Sequence, residues 1–157
     1  MSPESVVNEV LRRDVPLLRA GDTVEQALRT LLGTDLPALP VVDADGRLLG
    51  VFGEREFLGA LFPGYLGELK GAAFVPAVLD DALERRLTCA REPVERHITT
   101  DHVDVPVSAG DAQVAETFLH HRVLIVPIVD GGRVIGVVRR SDFFRALARR
   151  LLERAGA

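Results

Sequence analysis

The chain has 157 residues, of which 47% are hydrophobic and 27% charged, and its formal net charge at pH 7 is −4. A chain of this length and composition can fold without a metal or a disulfide, and Cys89, its one cysteine, has no partner for an internal disulfide. The negative net charge argues against nucleic-acid binding, because nucleic-acid-binding proteins usually carry an excess of basic residues or a basic face. No apolar stretch approaches the length that crosses a bilayer, and no signal peptide precedes the first motif, so the sequence predicts a cytoplasmic protein.

The first part of the chain predicts a β-α-β-β-α unit. Proline biases its neighbours away from helix, apolar residues three and four apart indicate a helix, and Gly46 suits a hairpin turn. The predicted elements, in order, are an extended segment Val15–Leu18, a helix capped by Asp22 or Thr23, strands Leu39–Val42 and Leu48–Phe52, and a helix from Glu54 to Leu61.

A segment of different character follows. Pro63-Gly64 interrupts the helix, and residues 80–87 predict a short helix with acidic residues first and arginines last. Between them, residues 72–79 are apolar and punctuated by proline. This run either packs across the pair of repeats or forms a dimer or partner contact, because long insertions in compact domains are often functional.

The last part of the chain predicts the same order of elements. They are an extended segment Val105–Val107, a helix beginning at Asp111, strands Leu124–Val129 and Val134–Val138, and a helix from Ser141 or Asp142 towards Ala155. The final helix carries an apolar stripe with helical spacing. The stripe consists of Phe143, Phe144, Leu147, Leu151 and Leu152.

Residues 36–61 and 123–147 are similar in sequence with a one-residue gap near Ala44. The matches include Pro40 with Pro127, Gly46 with Gly132, Gly50 with Gly136, and Phe57 with Phe143. Self-similarity of this length indicates a duplicated unit. Because one unit is too small to bury its sheet and its helices, we expect two units related by a pseudo-twofold axis to share their burial.

The repeated pattern resembles the cystathionine-β-synthase (CBS) domain. The resemblance lies in the hydrophobic-Pro-Val/Ile-Val-Asp strand, the Asp-Gly turn and the Gly-hydrophobic-hydrophobic-x-x-x-Asp/Glu-Phe segment, and Val10-Leu11 and Ile98-Thr99 resemble the segment before the first strand. It implies an α/β (α+β) fold of two β-α-β-β-α CBS repeats. The implied division is repeat one at 5–61, a linker with a short helix at 62–93, repeat two at 94–150, and a helix end and tail at 151–157.

The resemblance also implies clefts between the repeats that bind AMP, ADP, ATP or S-adenosylmethionine, with no obligatory cofactor. In the family, an acidic residue accepts hydrogen bonds from the ribose hydroxyls, and the start of the following helix favours an anion. The implied second site comprises Ile98, Thr99, Thr100, Val126, Pro127, Arg139, Arg140 and Asp142. The implied first site comprises Leu11, Arg12, Leu39, Pro40, Gly53 and Glu56.

Both implied sites depart from the family pattern. Arg139 stands where Thr or Ser is usual, and with Arg140 it either forms charge-assisted bonds to phosphate or is a solvated pair at the strand end. Gly53 occupies the matching position of the first site, which therefore lacks a hydroxyl donor. Asp142 either binds ribose or caps the last helix, and the two roles are compatible.

These features predict a stand-alone energy- or metabolite-sensing module that forms a disc-like homodimer and signals to an unknown protein partner by conformational change. The alternative is a ligand-free interaction or dimerisation scaffold, which Gly53 favours. The chain has no catalytic motif that supports a reaction. No metal is expected, because His120-His121 and the pair His97 and His102 are poorly spaced for a shared ion.

Overall fold

A computed structural model describes residues 4–62, 80–81, 83–84, 86–100 and 104–156. The first part contains helix α1 Val6–Val10, strand β1 Leu18–Arg19, helix α2 Val24–Leu32, strands β2 Ala38–Val42 and β3 Leu48–Gly53, and helix α3 Glu54–Leu61. The second contains 3-10 turns Leu87–Arg91 and Val94–Arg96, strand β4 Val105–Pro106, helix α4 Asp111–His120, strands β5 Ile125–Asp130 and β6 Arg133–Arg139, and helix α5 Arg140–Gly156.

Two three-stranded sheets, β1-β2-β3 and β4-β5-β6, confirm the predicted mixed α and β fold with two repeats. In each sheet the first pair of strands is parallel and the second antiparallel. The hairpin turns meet across the pseudo-twofold axis: the Leu48 amide donates to the Gly132 carbonyl at 3.1 Å, and the Val134 amide to the Gly46 carbonyl at 3.2 Å. Gly46 has φ of +80°, as its predicted place in the turn requires.

Helix boundaries follow local capping chemistry. Thr23, rather than Asp22, caps α2: its hydroxyl accepts from the Gln26 amide at 3.1 Å, and the Gln26 side chain accepts from the Thr23 amide at 2.9 Å. Helix α5 begins at Arg140, one residue before the earlier of the two predicted starts. Positions 80, 81, 83 and 84 are helical, whereas the apolar run 72–79 and Pro63-Gly64 lie outside the described residues.

Each hydrophobic core contains residues from both repeats. The core around β2 and β3 includes Val94, with Ile98 packed against it, and the core around β5 and β6 includes Val6 and Val7 of α1. We call residues 6–12 and 94–99 the lead-in segments, because each precedes the first strand of its own repeat. Since each lead-in segment packs into the other repeat, neither repeat has a complete core of its own.

Backbone pairing fixes the two lead-in segments in equivalent positions. Arg12 and Val137 exchange two hydrogen bonds of 2.9 and 3.0 Å, and Thr99 and Val51 exchange two of 3.2 and 3.0 Å. Each lead-in segment therefore adds a short antiparallel bridge to the last strand of the other repeat.

Asp111 joins the lead-in segment of repeat one to repeat two. It begins α4, as predicted, but its carboxylate caps another helix: Oδ2 accepts from the Val6 amide at 2.8 Å and Oδ1 from the Val7 amide at 2.9 Å. The sequence placed this residue correctly and did not indicate the helix that it caps.

Replacing Asp111 with alanine is expected to lower the free energy of unfolding by about 1 kcal/mol, because the first amides of α1 lose their acceptors. Urea denaturation measures the change. Glu116→Ala is the matched control, since it removes an exposed acid from the same helix. Equal stability of the two variants would contradict the importance of this cap.

The apolar stripe of α5 is mostly exposed. Phe143 and Ala146 are buried, whereas Phe144, Leu151 and Leu152 are 65%, 69% and 70% exposed. Apolar side chains grouped on one exposed helix are typical of a surface that contacts another protein. No helix in the described part of the chain is long and apolar enough to span a membrane.

Candidate functional site: two clefts between the repeats

Two clefts lie between the repeats, next to the starts of α3 and α5. The glutamate cleft, of ≈ 180 Å³, is lined by residues that include Glu56, Thr99 and Arg122. The arginine cleft, of ≈ 820 Å³, is lined by residues that include Asp35, Arg139 and Arg140. In both places the helix start is bound to the residue preceding a strand: the Glu54 amide donates to the Pro37 carbonyl at 3.0 Å, and the Arg140 amide to the Leu124 carbonyl at 2.9 Å.

An alternating network of charges extends from the arginine cleft into the adjoining surface: Asp35 and Arg139 line the cleft, whereas Arg12 and Asp142 lie beside it. Arg12 donates to Asp142 Oδ2 from Nε at 3.0 Å and from Nη2 at 2.9 Å, and Arg139 Nη2 donates to Asp142 Oδ1 at 2.8 Å. On their other sides both arginines reach Asp35: Arg12 Nη1 lies 2.5 Å from Oδ1, and Arg139 Nη1 donates to the backbone carbonyl at 2.9 Å. Two carboxylates therefore flank two guanidinium groups.

The network keeps its acids ionised. Burial raises the pKa of Asp142, but the hydrogen bonds and charges of Arg139 and Arg12 outweigh burial, so this pKa lies below the ordinary aspartate value. The hydrogen bond from Arg12 lowers the pKa of Asp35 as well. The same bond is the first cause of the raised pKa of Arg12. At neutral pH both carboxylates are therefore ionised.

Arg139 keeps one donor unused within the described chain. Its Nε is buried and makes no hydrogen bond to another described residue. A solvated pair of arginines at the strand end was one prediction, and for Arg139 the structure shows a partly buried, ion-paired side chain instead. Arg140 is exposed.

The glutamate cleft is smaller and has different chemistry. Glu56 Oε2 accepts from the Thr99 hydroxyl at 2.7 Å. A Cβ at Gly53 would lie 2.4 Å from both the Pro37 carbonyl oxygen and the Ala38 Cβ. Close packing at the junction of β3 and α3 therefore explains why the hydroxyl donor expected at this position is replaced by glycine.

The structure regroups the predicted site residues. Arg12, assigned with Leu11 to the first site, contacts Asp142 of the second, and Thr99, assigned with Ile98 to the second, contacts Glu56 of the first. The physical reason is that each lead-in segment pairs with the other repeat. Other predicted residues lie buried in the central strands, namely Leu39, Pro40, Val126 and Pro127, while Thr100 is exposed.

The sequence analysis did not identify Asp35 as a site residue. The alignment that pairs Pro40 with Pro127 also pairs Asp35 with Arg122, so the charge before the first long strand is inverted between the repeats. This inversion of charge is the feature of the sequence that could have identified Asp35. Three other positions also differ between the repeats without inverting the charge: Arg12 corresponds to Thr99 and Arg139 to Gly53, which lack a charge, while Asp142 corresponds to the longer acid Glu56.

Histidine does not form a metal centre in the described part of the chain. His97 Nε2 lies 2.7 Å from Glu92 Oε2, which lowers the pKa of Glu92. No group of three or more His, Cys, Asp or Glu side chains among the described residues could hold a metal ion. His102 lies outside them.

The sequence profile of the CBS domain matches residues 7–63 and 94–149, which together make up more than half of the chain. The chain belongs to the CBS-domain family. The two matched regions confirm the tandem CBS pair that the internal repeat indicated.

Curated relatives of this CBS pair share modest identity over most of its length. A CBS domain-containing protein from Dictyostelium discoideum is 27% identical over 144 residues, covering 90% of this chain and 90% of its own. An uncharacterized protein from Methanocaldococcus jannaschii is 21% identical over 141 residues. This chain spans 42% of the length of that protein, and 23% of the length of inosine-5'-monophosphate dehydrogenase from the same organism.

Solved structures share the fold of this CBS pair. CBSX2, crystallised in complex with AMP, superposes with a TM-score of 0.67 at 20% identity, covering 92% of this chain and 96% of that one. A CBS-domain containing protein from Agrobacterium tumefaciens has a TM-score of 0.65 at 22% identity, with 90% of each chain covered.

Proposed function

We propose that this CBS pair is a regulatory, non-catalytic module whose arginine cleft binds an adenosine phosphate. The observation that carries the proposal is that Arg139, Arg140 and Ser141, at the start of α5, line a cavity of ≈ 820 Å³. Cavities of this size suit a nucleotide-sized ligand. The AMP complex of the relative CBSX2 supports the ligand class.

The chemistry of the cleft suits the two ends of such a ligand. Asp142 is bonded to Arg139 of the cavity lining but is not itself part of that lining. Its carboxylate lone pairs would accept hydrogen bonds from the ribose hydroxyls of a ligand that extends beyond the cavity. Arg139 and Arg140 stand at the start of the 17-residue helix α5, where guanidinium groups and backbone amides together favour a phosphate. S-adenosylmethionine offers the same ribose without a phosphate, and it is the ligand that discriminates between the two contributions.

Signalling follows from the position of the cleft. Its charged network takes Arg12 and Asp35 from one part of the chain and Arg139 and Asp142 from the other. A ligand that binds one arrangement of the two repeats better than another shifts the population between them. A partner protein would detect that shift, and the exposed stripe of α5 would form the homodimer contact.

A ligand-free scaffold is the second candidate. The observation in its favour is that both arginines of the charge network, Arg12 and Arg139, are already paired with carboxylates, so the network is electrostatically satisfied without a ligand. In that case the network would stabilise the contact between repeats and have no role in recognition.

Ligand titration with thermal unfolding tests the proposal. At 100 times its dissociation constant, AMP, ADP or ATP is expected to stabilise the protein by about 2.7 kcal/mol, which raises Tm by roughly 5–10 °C for a chain of this size. The shift should be lost in Asp142→Asn and kept in Glu56→Gln, the matching change in the glutamate cleft.

Two outcomes would contradict the proposal. A shift that is lost in Glu56→Gln and kept in Asp142→Asn would move the site to the glutamate cleft. A Tm that does not change with any adenosine ligand, S-adenosylmethionine included, would favour the scaffold.

A further inference from the structure

We infer that Asp35 is an internal competitor for the anion position of the arginine cleft. Its carboxylate occupies guanidinium edges of Arg139, which lines the cleft, and of Arg12, which lines the adjoining groove with Asp35. A ligand phosphate would otherwise use these edges, so Asp35 sets the threshold concentration at which a phosphate ligand binds. The inference rests on the proposed function and names the residue that regulates that site.

The two acids of the network differ in how firmly they are held. Asp142 belongs to α5, and its side chain is 20% exposed with bonds from both arginines. Asp35 lies in the loop between α2 and β2, and its side chain is 65% exposed. Because exposed ion pairs are weak and a phosphate offers more acceptor oxygens, Asp35 is the group that a ligand can replace.

The loop itself need not move. Arg139 Nη1 donates to the backbone carbonyl of Asp35 at 2.9 Å, whereas its distance to the carboxylate Oδ2 is 3.4 Å. Rotation of the Asp35 side chain would release Arg12 Nη1 and leave the carbonyl bond in place. The competitor is therefore a side chain on a fixed backbone.

The other cleft has no equivalent acid at this position. Arg122 corresponds to Asp35 in the repeat alignment and lines the glutamate cleft. Asp35 is thus a feature of one cleft rather than of the duplicated unit. The two arginines that face Asp35 explain why an acid occupies this position. In the other cleft, Thr99 and Gly53 stand at the positions of those arginines.

Isothermal titration of AMP, and separately of inorganic pyrophosphate, tests the inference on the full chain. Asp35→Asn removes the competing charge and keeps the side-chain shape and the backbone carbonyl. Asp45→Asn is the matched control: it makes the same change at an exposed aspartate in the turn between β2 and β3, which does not line the cavity.

Asp35→Asn is expected to bind both probes more tightly than the wild type, by about threefold to tenfold, because a ligand no longer has to displace a weak internal pair. Asp45→Asn is expected to change affinity by less than about twofold, since an exposed charge away from the cavity is screened by salt. Urea denaturation of the two variants verifies that both are folded.

Each other outcome decides the matter. Equal gains in affinity in the two variants would show a general electrostatic effect and would overturn the inference. Unchanged affinity in Asp35→Asn, when the wild type binds AMP, would also overturn the inference but would leave the proposed function intact. If AMP binds none of the proteins while pyrophosphate prefers Asp35→Asn, the adenosine ligand falls and the competitor stands. If neither probe binds any of the proteins, both proposals fall.

Discussion

Alanine in place of Gly136 is expected to lower the free energy of unfolding by about 3 kcal/mol, the sum of overpacking and of weakened hydrogen bonds. A Cβ at this position would lie 2.5 Å from the Arg12 carbonyl oxygen and 2.9 Å from Leu11 Cδ1. The carbonyl belongs to backbone and accepts from the Val137 amide at 3.0 Å. The lead-in segment cannot retreat without weakening its bridge to β6.

Chemical denaturation of paired glycine variants measures this effect. Gly50→Ala, whose Cβ would lie 2.5 Å from the Thr99 carbonyl oxygen, should lose a similar amount at the equivalent bridge. Gly59→Ala is the control, because a Cβ there meets nothing within 4 Å and its place inside α3 favours alanine. If Gly136→Ala were as stable as Gly59→Ala, the lead-in segment would have to be free to shift.

Asp142→Ala is expected to lower the free energy of unfolding by about 2–3 kcal/mol at neutral pH. The change leaves two partly buried guanidinium groups facing each other without the carboxylate between them. Removing one partner of a fully buried pair costs about 3–5 kcal/mol. The smaller figure reflects side-chain exposures of 20–30%, which allow water to screen the charges.

The effect of Asp142 has a defined pH dependence. Because its pKa is lower in the folded than in the unfolded chain, its stabilisation is fully present above the unfolded pKa and is lost as the pH falls through the folded pKa. The stability difference between wild type and Asp142→Ala should therefore be largest at neutral pH and shrink in acid. Urea denaturation at neutral and acidic pH measures it, with the exposed Asp14→Ala as control.

A difference that stays constant across that pH range would show that Asp142 acts through packing alone. A difference as small as that of Asp14→Ala at neutral pH would show that the ion pairs contribute nothing to stability. Either result would also count against the proposal that the two arginines position the ionised Asp142 carboxylate for a ligand.

Features of the fold that depend on neighbouring residues were predictable from the sequence. Helix α3 begins at Glu54 and α4 at Asp111, as predicted, and the turn glycine Gly46 has the positive φ expected of it. The internal match between the repeats, which pairs Pro40 with Pro127, established the duplication. Each of these features follows from periodicity, capping or turn chemistry over a few residues.

The composition of the two clefts depended on contacts that no local pattern encodes. Arg12 meets Asp142 across 130 residues of sequence, and Asp35 meets Arg139 across 104. The grouping of Arg12 with one site and Thr99 with the other followed chain order, whereas the lead-in segments cross to the opposite repeats. Asp35 has no motif of its own and acquires a role through the arginines placed around it.

The sequence by itself therefore determined a duplicated β-α-β-β-α unit, the family and the type of residue at the start of each last helix. Only the tertiary structure decided which residues face one another in each cleft. The physical reason is that one repeat cannot bury its sheet alone, so each core takes Val6 and Val7 or Val94 from the other repeat's lead-in segment. That exchange of burial carries Arg12 to Asp142 and Thr99 to Glu56.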